Sequence, residues 1–119
     1  MKENPSEHEF LPLSPATLHI LLSLAGEDKH GYGIMQEVTR QSEGRYKLGP
    51  GTLYDNLQKL IERGLVQEVG QKADEEDSRR RYYRLSSVGR AVLSAEATRL
   101  EGVVREAKSR LQMAKPRRA

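Results

Sequence analysis

Gly49-Pro-Gly-Thr-Leu-Tyr-Asp-Asn-Leu-Gln-Lys-Leu-Ile-Glu-Arg-Gly64 is the stretch that decides how this chain folds. Gly49, Pro50 and Gly51 interrupt whatever precedes it, and Thr52 has the side chain of an N-terminal helix cap. Leu53, Leu57, Leu60 and Ile61 then recur at helical spacing, and Gly64 stands where a helix ends in a left-handed residue. A step of about 100° per residue gathers Thr52, Asn56, Lys59 and Arg63 on an arc beside the apolar stripe. Short polar groups and cations of this kind contact phosphate and base edges.

Working outward, Ser14-Pro15 is a cap followed by proline at the first helical position. Leu18, Leu21, Leu22 and Ala25, widened by Ile20 and Leu24, predict a largely buried first helix that closes at Gly26-Glu27-Asp28-Lys29. His30-Gly31-Tyr32-Gly33 opens a second helix, with Ile34, Met35 and Val38 facing inward. A loop over residues 44–51 carries Arg45, Tyr46 and Lys47 into the third helix, the layout of a helix-turn-helix. Leu65–Val69 and Arg81–Leu85 read as two strands, joined by a polar tip from Gly70 to Arg80. A helix-turn-helix followed by such a hairpin is a winged helix.

Ser86 caps a final helix over residues 87–113 with two stripes. Val88, Ala91, Val92 and Ala95 are expected to pack on the winged domain. Leu93, Ala97, Leu100, Val104, Ala107 and Leu111 repeat at alternating spacings of four and three, the seam of two helices packed along their length. At 1.5 Å per residue the helix spans roughly 40 Å, too long for both stripes to be covered by one small domain. A second copy of the chain is the expected partner, the alternative being a seam that folds back on the first helix of its own chain. The expected organisation is an N-terminal flexible arm (1–12), a winged helix-turn-helix domain (13–86), a dimerisation helix (87–113) and a basic tail (114–119). The fold class is mainly α with a small β-hairpin.

Composition removes several functional classes. The chain has 119 residues, no Cys, no Trp, one Phe and 5% aromatics, which leaves no disulfide scaffold, no Cys-ligated metal and no deep aromatic pocket. No apolar run approaches the roughly 20 residues of a membrane span, and the N-terminus has no basic-then-apolar signal pattern, so a cytoplasmic protein is expected. The net charge of +3 is a tail effect: residues 105–119 hold six Lys/Arg against Glu106, and residues 1–104 sum to −2. Residues 78–90 are the more telling cluster, with Arg79, Arg80, Arg81, Arg84 and Arg90 and no acid. His8, His19 and His30 share no helical i,i+4 pair, and Asp74-Glu75-Glu76-Asp77 lacks the alternating ligands of a calcium loop, so no metal or cofactor is expected. No nucleophile–base pair is evident, which argues against an enzyme.

His30-Gly31-Tyr32-Gly33-Ile34, Gly49-Pro50-Gly51-Thr52-Leu53-Tyr54 with Gly64-Leu65-Val66, and Arg81-Tyr82-Tyr83-Arg84-Leu85-Ser86 with Gly89 stand in one order. Together they resemble the PadR family of bacterial transcriptional regulators, over about Leu13 to Leu111. The resemblance implies a dimeric winged-helix repressor of promoter DNA that answers to a small-molecule effector. The chain departs from the family in one respect. Some short-tailed members hold flat aromatics between tryptophans of paired C-terminal helices, whereas residues 87–113 here contain no aromatic side chain.

The residues expected to face DNA are Lys47, Thr52, Tyr54, Asn56 and Lys59, with Arg79, Arg80 and Arg81 at the wing. Asn56 suits bidentate pairing with adenine and Lys59 suits phosphate or guanine. Tyr54 is equally placed to pack at the core edge. The wing tip with the acidic run 74–77 is expected to be mobile, or to pair with the wing arginines until DNA competes for them. The competing function is a winged-helix protein-interaction module without sequence-specific DNA binding.

Overall fold

A computed structural model describes residues 7–70 and 81–113. The elements run α1 (Pro15–Leu24), β1 (Lys29–His30), α2 (Gly31–Gln41), α3 (Pro50–Glu62), β2 (Val66–Val69), β3 (Tyr82–Leu85) and α4 (Ser87–Met113), preceded by a 3₁₀ turn at Glu7–Phe10. Four helices and a small antiparallel sheet make the expected winged helix with its long C-terminal helix.

Caps account for most helix starts. The Ser14 hydroxyl accepts the Thr17 N–H at 3.2 Å, and Nδ1 of His30 accepts the Gly33 N–H at 3.1 Å. The Ser86 hydroxyl accepts the Gly89 N–H at 2.9 Å and donates to the Gly64 carbonyl at 2.6 Å. Helix α3 ends as expected, with Gly64 at a φ of 82°. Its start differs from expectation: Pro50 is the first helical residue and Gly49 the cap, so Thr52 lies inside the first turn. Proline's fixed φ suits that position and begins the helix before Thr52 can cap it.

The core is aliphatic. Ile20, Leu21 and Leu24 of α1, Ile34 and Val38 of α2, Leu53, Leu57 and Leu60 of α3, and Val92 of α4 meet beneath Leu65, Val66, Tyr83 and Leu85. Leu22, counted in the α1 stripe, is 44% exposed.

The sheet has three strands in the order β1-β3-β2, with β3 pairing antiparallel to both neighbours. The hairpin register sets Val66 opposite Leu85 and Val69 opposite Tyr82. Strand β1 is not legible in sequence, because its two residues owe their extended form to pairing with Tyr82 and Tyr83.

Two expectations need correction. Residues 7–10 of the supposed arm form the 3₁₀ turn, and Phe10, Leu11 and Leu13 pack against the core. Three apolar side chains among polar neighbours are enough to dock a short segment. The stripe of α4 that meets the domain is Gly89, Val92 and Glu96, while Val88 is 43% exposed. Gly89 carries the closest approach: a β-carbon there would lie 2.1 Å from the Leu65 carbonyl oxygen. A stripe chosen by apolar character passes over a glycine whose use is to have no side chain. Residues 1–6, 71–80 and 114–119, which include the wing tip with its acidic run and the basic tail, lie outside the described residues.

Candidate nucleic-acid interface

Helix α3 has one face in the core and one in solvent. Leu53, Leu57 and Leu60 are at most 4% exposed, while Gly51, Thr52, Tyr54, Asp55, Gln58, Lys59 and Glu62 are exposed. Its N-terminus differs from those of its neighbours. Gly49 supplies no side-chain cap, so the first-turn N–H groups of Gly51 and Thr52 are left without the partner that Ser14, His30 and Ser86 give elsewhere. Free N–H groups at the positive end of a helix dipole attract anions.

The approach to α3 is pinned from below. The Ser42 hydroxyl accepts the Tyr46 N–H at 3.0 Å, the Tyr46 ring stacks on His19 with centroids 4.8 Å apart, and Leu48 is buried. Gln41 donates to the His19 carbonyl at 2.9 Å and ties α2 to α1. With Tyr46 and Leu48 turned inward, the alternating Arg45 and Lys47 are exposed beside the start of α3.

The side chains of the exposed face are not equally free. Asn56 is half-buried and one N–H of its amide donates to the Thr52 carbonyl at 2.8 Å, which leaves its second N–H and Oδ1 for another partner. Gln58 donates to Glu62 at 3.2 Å. Tyr54 is 48% exposed, yet its hydroxyl lies over Gly31 so closely that a β-carbon there would be 2.1 Å away. It therefore packs on the start of α2 while staying half-exposed. Tyr83 is buried close by, and burial, with the Glu68 carboxylate and then Tyr54, raises its phenol above the usual range. Tyr32, in the first turn of α2, is 62% exposed and was not singled out from sequence. Its signal is an aromatic out of phase with Ile34 and Val38.

The arginine cluster does not act as one unit. Arg84 makes a two-pronged pair with Asp28, Nε to Oδ1 at 3.1 Å and Nη2 to Oδ2 at 2.8 Å. That bond, reinforced by the charge of Asp28, holds the Arg84 guanidinium above its usual pKa. Arg90 turns back to the Ala25 carbonyl at 3.3 Å. Arg81 is exposed and lies 3.5 Å from Glu68 across the wing stem, a loose pair that leaves it available. Arg79 and Arg80 lie outside the described residues. Among the described residues no group of three or more His, Asp or Glu could hold a metal ion, and no helix is long and apolar enough to cross a membrane.

The model of the PadR-like transcriptional regulator family matches residues 20–95, from α1 to the root of α4. The chain belongs to that family. This PadR-like chain is 37% identical over 89 residues to the transcriptional regulator Rv3488 of Mycobacterium tuberculosis, covering 75% of this chain and 78% of the relative. Its fold is that of a PadR family transcription regulator from Clostridium difficile R20291, with a TM-score of 0.70, 20% identity, and 82% and 99% of the two chains covered. Bacillus subtilis PadR, solved in complex with operator DNA, superposes with a TM-score of 0.61 at 19% identity. That match covers 71% of this chain and 46% of the Bacillus protein.

Proposed function

We propose that this PadR-like regulator is a dimeric repressor that binds a palindromic operator and is released by a small-molecule effector, acting in the cytoplasm. The observation that carries the reading is α3. It is fixed by its leucines to the core, leaves an uncapped N-terminus and a polar face outward, and in chain order is flanked by the exposed Lys47 and Arg81. In this reading Lys47, Thr52 and Tyr54 grip phosphate with the free N–H groups of α3, and Asn56 and Lys59 reach base edges. Arg79, Arg80 and Arg81 hold the backbone or minor groove at the wing. Tyr32 adds a second exposed phenol at the neighbouring helix start.

The dimer reading rests on the distal half of α4. Ala97, Val104, Ala107 and Leu111 are exposed along one line, and Leu93 and Leu100 are half-exposed. Ala97, Leu100 and Val104 also line an apolar groove edged by Glu101, Arg105 and Lys108. A bare seam of this length calls for a second copy.

The test is binding to duplexes selected by the protein from a randomised pool. The expected result is two protomers on a dyad whose half-sites lie about one helical turn apart, some 34 Å. Affinity should fall steeply with salt, Arg81→Ala should weaken all sequences alike, and Asn56→Ala should relax preference at particular positions. One protomer per site without dyad preference would overturn the dimeric reading. A flat salt dependence would point instead to a protein-interaction module.

A further inference from the structure

Among the described residues Glu96 is the one carboxylate taken fully out of solvent, at 1% exposure. A buried charge persists only when it is paired and hydrogen-bonded. Three N–H groups converge on Glu96. Arg99 gives Nε to Oε1 at 2.7 Å and Nη2 to Oε2 at 3.0 Å, and the Leu13 backbone N–H reaches Oε2 at 3.2 Å. Arg99 lies one turn further along α4, and Leu13 immediately precedes the Ser14 cap of α1. The cluster therefore ties α4 to the start of the helix that carries Ile20, Leu21 and Leu24 into the core.

Its place along α4 gives it leverage. Gly89, Val92 and Glu96 are the buried residues of the helix, and from Val103 onward every residue is exposed. Glu96 is thus the last fully buried point before the bare seam. From there to Met113 the helix extends roughly 25 Å, so a tilt of about 10° at the joint moves its end by roughly 4 Å. Apolar contacts tolerate a small roll of a helix, whereas the Leu13 N–H bond, which crosses from the winged domain to α4, does not; Arg99, on the same helix as Glu96, holds the carboxylate in the orientation that receives it. Position 96 also flanks the seam residue Ala97, where charged side chains of paired helices commonly reach across to the partner. Here the carboxylate is committed within its own chain.

We infer that Glu96, locked by Arg99 and the Leu13 N–H, is a positioning residue that sets the angle at which α4 leaves the winged domain, and through it the separation of the two DNA-reading helices in a dimer. This rests on the dimeric reading above. The half-site contacts of α3 do not pass through Glu96; only the geometry between copies does.

The experiment compares the full chain with Glu96→Gln, which keeps the shape and an acceptor for Leu13 but loses the paired charge. Arg99→Lys serves beside it, since lysine keeps a cation without the two-pronged geometry. Each is measured against an isolated half-site, the full dyad, and dyads with base pairs inserted or removed between half-sites. The chain has no cysteine, so Gln67→Cys on the exposed face of β2 allows one spin label per protomer. The expected result is folded dimers with half-site affinity unchanged, dyad affinity lowered about tenfold, weakened discrimination between spacings, and a broadened label-to-label distance. If folded, dimeric Glu96→Gln and Arg99→Lys keep both the spacing preference and a narrow distance distribution, the joint is refuted while the dimer stands. If the unaltered chain is monomeric or shows no dyad preference, the dimeric reading fails and the joint with it.

Discussion

Replacing Gly89 with alanine should damage the protein more than its chemistry suggests. Inside an exposed helix this change is favourable by up to about 1 kcal/mol, because glycine surrenders more backbone freedom. At position 89 the added carbon would stand 2.1 Å from the Leu65 carbonyl oxygen, 2.9 Å from a Leu85 methyl and 3.0 Å from the Leu65 carbonyl carbon. The first two atoms differ in what they can do. A leucine methyl can rotate away, but the Leu65 carbonyl belongs to the α3–β2 turn and already accepts the Ser86 N–H at 3.0 Å. To reach ordinary contact, which begins at 3.4 Å, α4 and that turn must separate by more than an ångström. Overpacking of this kind costs about 1–3 kcal/mol and the strained hydrogen bond about another 1, so after a helix gain of about 1 the net loss is about 1–3 kcal/mol. Gly102, on the same helix, has nothing within 4 Å of its would-be β-carbon and lies opposite the seam, so alanine there should stabilise. Urea unfolding at one fixed protein concentration is the assay. Gly89→Ala should lower the midpoint by roughly 1–2 M and Gly102→Ala should raise it slightly. Equal midpoints for native and Gly89→Ala, or an equal loss for both alanines, would refute the reasoning.

Other consequences can be checked more briefly. Val104→Glu should place two carboxylates against each other in the seam and shift sedimentation toward monomer at micromolar concentration, with the helix content unchanged. Arg84→Gln should leave the salt dependence of DNA binding as it is, because Arg84 is engaged by Asp28, and should cost little stability, as the loss of an exposed pair does. Acid should act through Glu96. The Arg99 bonds, with help from the Leu13 N–H, hold its folded pKa below the ordinary glutamate value of 4.5, against the opposing pull of burial. The unfolded chain then binds that proton more readily than the folded one. The contribution is complete above the unfolded pKa and disappears as pH falls through the lowered folded value. Glu96→Gln should therefore flatten the acid limb of a stability profile measured below pH 4.5, and an unchanged limb would count against the assignment.

What the sequence revealed and what it withheld divide along physical lines. Ser14-Pro15, His30, Gly64 and Ser86 act locally, through caps and a left-handed residue, and their roles are readable from neighbours a few positions away. The extent of α4 was readable for the same reason, since Ser86 precedes a long run without proline before Pro116. The rest depends on partners distant in sequence. Nothing near Lys29–His30 announces a strand, because the pairing residues lie at 82 and 83. Glu96 looks like a surface residue until Leu13, far away in sequence, donates to it. Arg84 looks like a member of a DNA-facing cluster until Asp28 is placed beside it. Within the candidate interface the outward face of α3 was legible from periodicity. That Asn56 is bonded to Thr52, and that Tyr54 leans on Gly31, follows only from the folded geometry.

The corner at His30 has a practical consequence for anyone redesigning this chain. One residue ends a strand paired to the wing stem and, through its ring nitrogen, starts α2; its ring also meets Tyr82 edge-on at 5.4 Å. The stem of the wing and the helices that hold α3 are thereby joined at one more corner, upstream of the connection between β2 and β3. Lengthening that connection should cost only about 0.6 kcal/mol for each doubling. Because the proposed wing contacts Arg79 and Arg80 fall within that connection, changing its length tests the wing's share of DNA binding without steering α3.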